Sequence, residues 1–293
     1  MVKTWTSYKP TYIDRGDMEM FEQVLKNVEE KNPLVHNVTN YVTVNDCANI
    51  VLACGGSPIM ADDSDEVCDI TSICNSLVIN IGTLNARTIR SMIMAGNRAN
   101  ELSHPVVLDP VGAGASELRT QTALGLLKTV KFSVVRGNIS EIKAIAHDGG
   151  TTKGVDADVA DAVTEDNLDK AITFARDLSR STEAVIAITG AIDIVTNAEK
   201  TYVIRNGCKT MSRITGSGCM LTSLIGSFCG ANPDDILDAT AAAVVAMGLC
   251  GELAEKKMAE RNEGTASFRT YLIDNMSRLT AEILNGGMKV EIR

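Results

Sequence analysis

Aromatic side chains are scarce in this chain, with one Trp, five Tyr and five Phe among 293 residues. That leaves no platform on which the bases of a single-stranded nucleic acid could stack. Histidine is scarcer still, and His36, His104 and His147 stand isolated, so a zinc site has few natural ligands. Eight cysteines are present, but no two are spaced C-x-x-C and most lie in apolar, helix-like runs. They read as the reduced, small, buried hydrophobes of a cytoplasmic protein. The first 20 residues lack an apolar core of signal-peptide length. No run of 18 apolar residues free of charged and polar side chains occurs, so no membrane span is expected. Positive charge is in deficit: the net charge of −9 excludes the basic footprint of a nucleic-acid binder. It does not exclude a nucleotide, because backbone amides and a divalent cation neutralise phosphate locally. The Walker-type phosphate loop is absent, and Gly112-Ala113-Gly114 and Gly216-Ser217-Gly218 each lack the third glycine of a dinucleotide fingerprint.

What is present is an ordinary globular balance, 45% apolar and 22% charged, enough for one large α/β domain. The runs SLVINIG (76–82), PVVLDP (105–110), FSVVRGN (132–138) and AVIAITG (184–190) read as buried strands. Helical patterns separate them over 85–102, about 117–129, ISEIKAIA and 165–182. IDIVTN and TYVIRNG resemble a hairpin, the one suggestion of antiparallel edge strands. From Gly216 onward only helices are expected, at about 217–229, 233–256 and 265–284. The alternation predicts a mostly parallel central sheet covered by helices on both faces. A single domain spanning 1–293 is expected, with 1–20 as an extension and 148–164 as the most loop-like stretch.

In an open parallel sheet, ligands bind outside the carboxyl ends of the strands. There the sequence places Asp109, then Arg136 and Glu141, then Thr189, and finally the turn Gly216-Ser217-Gly218-Cys219 at the mouth of a helix. Each has a plainer explanation. Asp109 can cap a loop, and Glu141 stands three residues after Asn138, as in a capping box. Arg136 can pair with a carboxylate, Thr189 can bond its own turn, and Cys219 can be a small buried side chain. Together they make a stronger case. A helix entered through Gly-x-Gly presents unpaired N–H groups and a positive dipole end to an anion. Asp109 and Glu141 are hard oxygen ligands suited to Mg²⁺.

These residues fall within longer signatures: HNVTNYVTVNDCANIVLACGGSPIM (36–60), LDPVGAGAS (108–116), VVRGNISEI (134–142), AITG (187–190) and GSGCMLTSLIGSF (216–228). Through them the chain resembles the hydroxyethylthiazole kinase family, a thiamine-salvage branch of the ribokinase-like superfamily. The resemblance implies a three-layer α/β/α ribokinase-like fold. It also implies ATP-dependent phosphorylation of the hydroxyl of 4-methyl-5-(2-hydroxyethyl)thiazole, with Mg²⁺. Carried onto this sequence, it makes Met60, Asn40 and Gly216 thiazole-binding, and Arg136 and Thr189 nucleotide-binding. Asp109 and Glu141 fall near the metal, and Gly216, Gly218 and Cys219 form the catalytic turn. Cys219 stands where most ribokinase-like enzymes carry an aspartate base and where this family typically carries cysteine. Ser217 and Ser116 stand where threonine is frequent and keep its hydroxyl. A homotrimer is implied, each thiazole pocket being completed by a neighbouring subunit.

Whether Cys219 is a base or fills the position stays open at this level: a helix start lowers a thiol's pKa and a bound triphosphate raises it. Rival readings within the same fold are a hydroxymethylpyrimidine or pyridoxal-type kinase, or an ATP-dependent nicotinamide-hydrate dehydratase. Those usually carry Asp at the position of Cys219 and lack the HNVTNYV block. Intact Asp109, Glu141 and glycine turn argue against a non-catalytic regulator, and the missing C-x-x-C argues against a redox thiol protein.

Overall fold

Apolar, β-branched runs too short to be helices assemble side by side into one sheet. The computed structural model describes residues 15–146 and 162–293; most of 148–164, and residues 1–14, fall outside the described residues. In chain order the strands are β1 (Leu34–Val38), β2 (Ser57–Ile59), β3 (Ser76–Asn80), β4 (Val106–Asp109), β5 (Val134–Gly137), β6 (Val185–Ile188), β7 (Asp193–Thr196), β8 (Thr201–Ile204) and β9 (Val290–Ile292). In space they lie in the order β2-β1-β3-β4-β5-β6-β7-β8-β9. The pairings from β2 through β6 are parallel, and those from β6 through β9 are antiparallel.

Side chains alternate between the two faces of a strand, so each face has its own core. Val78, Val107 and Val134 point into one core, beneath α1 (Arg15–Lys31), α2 (Val44–Ala53), α8 (Ser217–Ala231), α9 (Ile236–Glu260), α10 (Thr265–Met276) and α11 (Ala281–Gly287). Leu77, Ile79, Leu108 and Val135 point into the other. That face is covered by α3 (Val67–Ile73), α4 (Ala86–Glu101), α5 (Glu117–Thr129), α6 (Ile139–Ala146) and α7 (Leu168–Thr182). The result is the expected three-layer α/β/α arrangement.

Helix starts follow from capping chemistry. Asn85 and Thr88 form a reciprocal capping box before α4, and the Ser116 side chain accepts from Arg119 N–H before α5. α9 is long and apolar enough to cross a membrane by length and composition, yet 78% of its apolar window is buried inside the fold.

Three differences from the sequence reading stand out. Strands β1, β2 and β9 were not anticipated, and β9 overturns the expectation of helices alone after Gly216. The hairpin strand β8 is therefore not an edge, because β9 pairs along it. The expected helix over 265–284 is two helices: α10 stops at Met276, and Thr280 caps a new start, accepting from Ile283 N–H. α9 begins at Ile236 rather than 233, because Asn232 and Asp235 close a turn in front of it.

Candidate active site

The carboxyl ends of neighbouring strands hold one polar side chain each: Asn80 on β3, Asp109 on β4, Arg136 on β5 and Thr189 just after β6. The register pairs Asn80 with Asp109 across β3 and β4. Beyond them opens a cavity of about 750 Å³, lined by Asp109, Arg136, Glu141, Thr189, Gly216, Gly218 and Cys219. Asn40 lies behind this lining, bonded to Cys219. Met60 does not line the cavity; it stands half-buried at the end of β2, on the outer edge of the sheet.

Gly216 precedes α8 with φ 82°, the left-handed region that only glycine enters without strain. A methyl group there would also meet Thr43 Cγ2 at 2.6 Å. At Gly218 the obstacle is functional, since a Cβ would lie 2.6 Å from Arg136 Nη1. Helix geometry leaves the amides of Ser217, Gly218 and Cys219 without helical partners, and no side chain caps them. The first helical bond is Met220 N–H to Gly216 C=O. An anion entering the cavity therefore meets free N–H groups and a positive dipole end.

Arg136 is held in place before any ligand arrives. Its Nη2 donates to Thr189 Oγ1 at 2.6 Å and its Nη1 to Asp109 Oδ2 at 3.5 Å. The Thr189 hydroxyl thus serves Arg136 rather than its own turn. Asp109 is fully buried, and burial pushes its carboxyl up to about 6 despite Arg136 and Thr222. Asn80 and Thr222 also donate to Oδ2, whereas Oδ1 is buried without a partner. On the far side of Arg136, Asp193 accepts from Gly190 N–H at 2.8 Å, and burial raises its carboxyl to about 7.

Glu141 realises the capping box with Asn138: Oε2 accepts from Asn138 N–H, and Asn138 Oδ1 accepts from Glu141 N–H, both at 2.9 Å. Its Oε1 accepts from Gly112 N–H at 2.8 Å, tying the turn after β4 to the start of α6. Both carboxylate oxygens therefore have one lone pair committed to backbone.

Cys219 receives a hydrogen bond from Asn40 Nδ2 at 3.3 Å. Burial first, and the Asp109 carboxyl second, push its thiol pKa above the usual value, so the protonated form is favoured. The same Asn40 Nδ2 donates to Asn80 Oδ1 at 3.0 Å. Among the described residues, no group of three His, Cys, Asp or Glu side chains is arranged to hold a metal on its own. A cation here needs phosphate oxygens or water to complete its ligands, as Mg²⁺ commonly does. The buried Oδ1 of Asp109, with no donor facing it, fits such an ion.

Three site residues escaped the sequence reading: Asn80, Asp193 and Thr222. Asn80 carried the same signal as Asp109, a polar residue ending an apolar strand, but was absorbed into the run SLVINIG. A second hollow, of about 830 Å³, opens near the start of β5 and β6, at the opposite end of the sheet. Two of its cations are matched by carboxylates, Lys131 by Glu183 and Arg180 by Asp177.

The family model of the hydroxyethylthiazole kinase family matches residues 25–282. A hydroxyethylthiazole kinase of Clostridium acetobutylicum is 59% identical over 272 residues, 93% of this chain and 99% of the relative. One from Clostridium beijerinckii is 53% identical, covering 92% and 95% of the two chains. Among solved structures, the hydroxyethylthiazole kinase protein of Pyrococcus horikoshii superposes with a TM-score of 0.84 at 34% identity, over 94% of this chain and 99% of that one. A ribokinase-like superfamily protein of Enterococcus faecalis superposes at 0.61 with 11% identity, over 93% and 100%, a likeness of fold alone. The ribokinase-like architecture expected from the sequence is the one observed.

Proposed function

The chain belongs to the hydroxyethylthiazole kinase family, and from that membership we propose how its site works. The protein is a kinase that transfers the γ-phosphoryl group of ATP to the primary hydroxyl of hydroxyethylthiazole, a step of thiamine salvage. The observation that carries the reading is the convergence of free α8 amides, a pre-held Arg136 and the unpartnered Asp109 Oδ1 on one cavity.

Phosphoryl transfer has a loose transition state, so positioning and charge neutralisation supply most of the catalysis. The amides of Gly216, Gly218 and Cys219 meet the equatorial oxygens of the γ-phosphoryl group, fixed before the charge develops. Arg136 grips the nucleotide phosphates, and Thr189 contributes by aiming it. Asp109 would hold Mg²⁺ through Oδ1, and Glu141 would join through the lone pairs its backbone donors leave open. Bound there, the cation supplies neutralisation of phosphate charge. The hydroxyethyl oxygen approaches from the side of Asn40 and Cys219.

A homotrimer is the assembly this reading favours. Tyr41, Val42, Leu52 and Ile73 are large, apolar and exposed. They stand in segments joined to β1 and β2, the edge that also carries Met60. Exposed apolar groups of this size suit an interface between subunits, and a neighbouring subunit would complete the thiazole pocket around Met60 and Asn40. The enzyme is read as cytoplasmic.

A coupled ADP-release assay with Mg²⁺ and ATP tests the whole reading. Release is expected with hydroxyethylthiazole and not with hydroxymethylpyrimidine or pyridoxal. Folded protein that releases no ADP in the presence of the thiazole would overturn it.

A further inference from the structure

Asn80 is where the thiazole side and the phosphate side of the site meet. It closes β3, is 1% exposed, and lies beside Asp109 in the sheet register. Its Oδ1 accepts from Gly82 N–H at 2.9 Å and from Asn40 Nδ2 at 3.0 Å, while its Nδ2 donates to Asp109 Oδ2 at 2.9 Å. A backbone N–H only donates and an ionised carboxylate only accepts, so the amide has one orientation. Across the site, Thr222 of α8 donates to the same Oδ2 at 2.7 Å, and Arg136 approaches it at 3.5 Å. Three donors crowd one oxygen of Asp109, and none serves the other. Burial of that second oxygen without a donor is costly unless a ligand takes it up.

We propose that Asn80 and Thr222 are positioning residues that clamp Asp109 Oδ2, so that Oδ1 is left for the divalent cation of the nucleotide. Asn80 carries the same constraint through Asn40 to Cys219, so one amide sets the geometry of both substrate sides. The inference rests on Asp109 as the cation-side carboxylate. Its chemistry is that of an outer shell: groups bonded to a ligating carboxylate fix its plane and its basicity.

The test uses Mn²⁺ in place of Mg²⁺, with binding to the full-length protein–ADP complex followed by electron paramagnetic resonance. Thiazole KM is measured beside it. Thr222→Val keeps the shape of threonine and removes the donor. It is expected to weaken Mn²⁺ binding by about 10- to 100-fold, the usual span for outer-shell partners. Thr222→Ser should restore binding, and thiazole KM should stay unchanged in both. Asn80→Ala should weaken Mn²⁺ binding and also raise thiazole KM, because the Asn40 Nδ2 group loses its acceptor on β3 while Thr43 still holds Asn40 Oδ1. If Asn80→Ala fails to fold, Thr222→Val and its serine rescue decide alone. Asp109→Asn is the reference. If it loses Mn²⁺ while folded Thr222→Val and Asn80→Ala bind as the wild type does, the inference falls and the cation reading stands. If Asp109→Asn itself binds Mn²⁺ normally, the cation reading falls and takes the inference with it.

Discussion

Cys219 stands at a helix start, which favours a thiolate. Burial first and the buried carboxyl of Asp109 second raise its pKa against hydrogen bonds with Thr43, Asn80 and Asn40, so the protonated form is favoured. That shifts the question left open by the sequence toward the cysteine as occupant of the position, and the proposed role of the surrounding amides predicts how its variants behave. Cys219→Ala should accordingly keep measurable turnover, with a loss no larger than the about 10²–10⁴-fold typical of general-base catalysis. Cys219→Asp should retain or raise kcat, since a carboxylate at a helix start is stabilised and is a better base than a protonated thiol. Steady-state kinetics on folded protein checks both, and a dead Cys219→Asp that still binds thiazole would refute this view. Asp193 makes a prediction about stability instead. Its carboxyl rises from 3.8 to about 7 on folding, so the folded state binds the proton more tightly between those values. Stability from this group is therefore lost as pH rises through that window, and its full cost persists above it. Asp193→Asn keeps an acceptor for Gly190 N–H and removes the titration. Between pH 5 and pH 8 the wild type should lose roughly 5 °C of Tm relative to the variant, measured by calorimetry, at ~2–4 °C per kcal/mol for a domain somewhat smaller than this one.

At the scale of elements, the start of α8 separates two kinds of glycine. Gly216→Ala forces a positive φ on an L-residue and drives a methyl into Thr43. It should cost stability, about 1–2 kcal/mol for the backbone alone, as well as activity. Gly218→Ala has ordinary helical backbone and strikes only the Arg136 guanidinium. Its Tm should stay close to the wild type while ATP KM rises about tenfold or more, since a hydrogen bond to a charged group contributes ~1.5–3 kcal/mol. Arg136→Ala should raise ATP KM in the same direction and leave thiazole affinity largely intact. What could be foreseen divides along similar lines. Strands β3 to β6 are built on short β-branched, apolar stretches and announced themselves. β1, LVHNV, mixes His36 and Asn37 into its run; both are buried, and His36 bonds Thr71 and Ala61. Its strand character comes from tertiary partners that the local pattern does not display. β2 and β9 are three residues long, and β9 exists through its pairing with β8. Asp109, Arg136 and Thr189 stand out as polar residues at strand ends, whereas Asn80 ends β3 but merges into its run; Asp193 was hidden inside a hairpin pattern and Thr222 inside an apolar helix.

For the whole molecule, the testable quantity is assembly. Leu52 and Ile73 are 58% and 63% exposed in one chain. Leu52→Glu and Ile73→Glu should convert the expected trimer to smaller species by light scattering. Thiazole KM should rise, while ADP binding, which draws on the single-chain cavity, should persist. A wild-type protein that is monomeric at all concentrations would remove the basis of this expectation. Composition and alternation were enough to indicate an α/β fold with a mostly parallel sheet covered on both faces. They did not display the outer edge of the sheet, where β2 ends just before Met60, outside the cavity lining.

The sheet register that sets Asn80 beside Asp109 has a consequence for distance as well as for bonding. From β3 to just past β6, successive strands each place one working side chain at the carboxyl rim. Neighbouring strands are separated by about 4.8 Å, so the row spans about 14 Å from the first to the last. The sheet is thus a ruler, and the spacing between these side chains is graduated in strand widths. Such a scale cannot be adjusted by small steps. A one-residue slip in β4 or β5 would turn Asp109 or Arg136 to the opposite face. The fold could survive such a slip, but the measure would be lost.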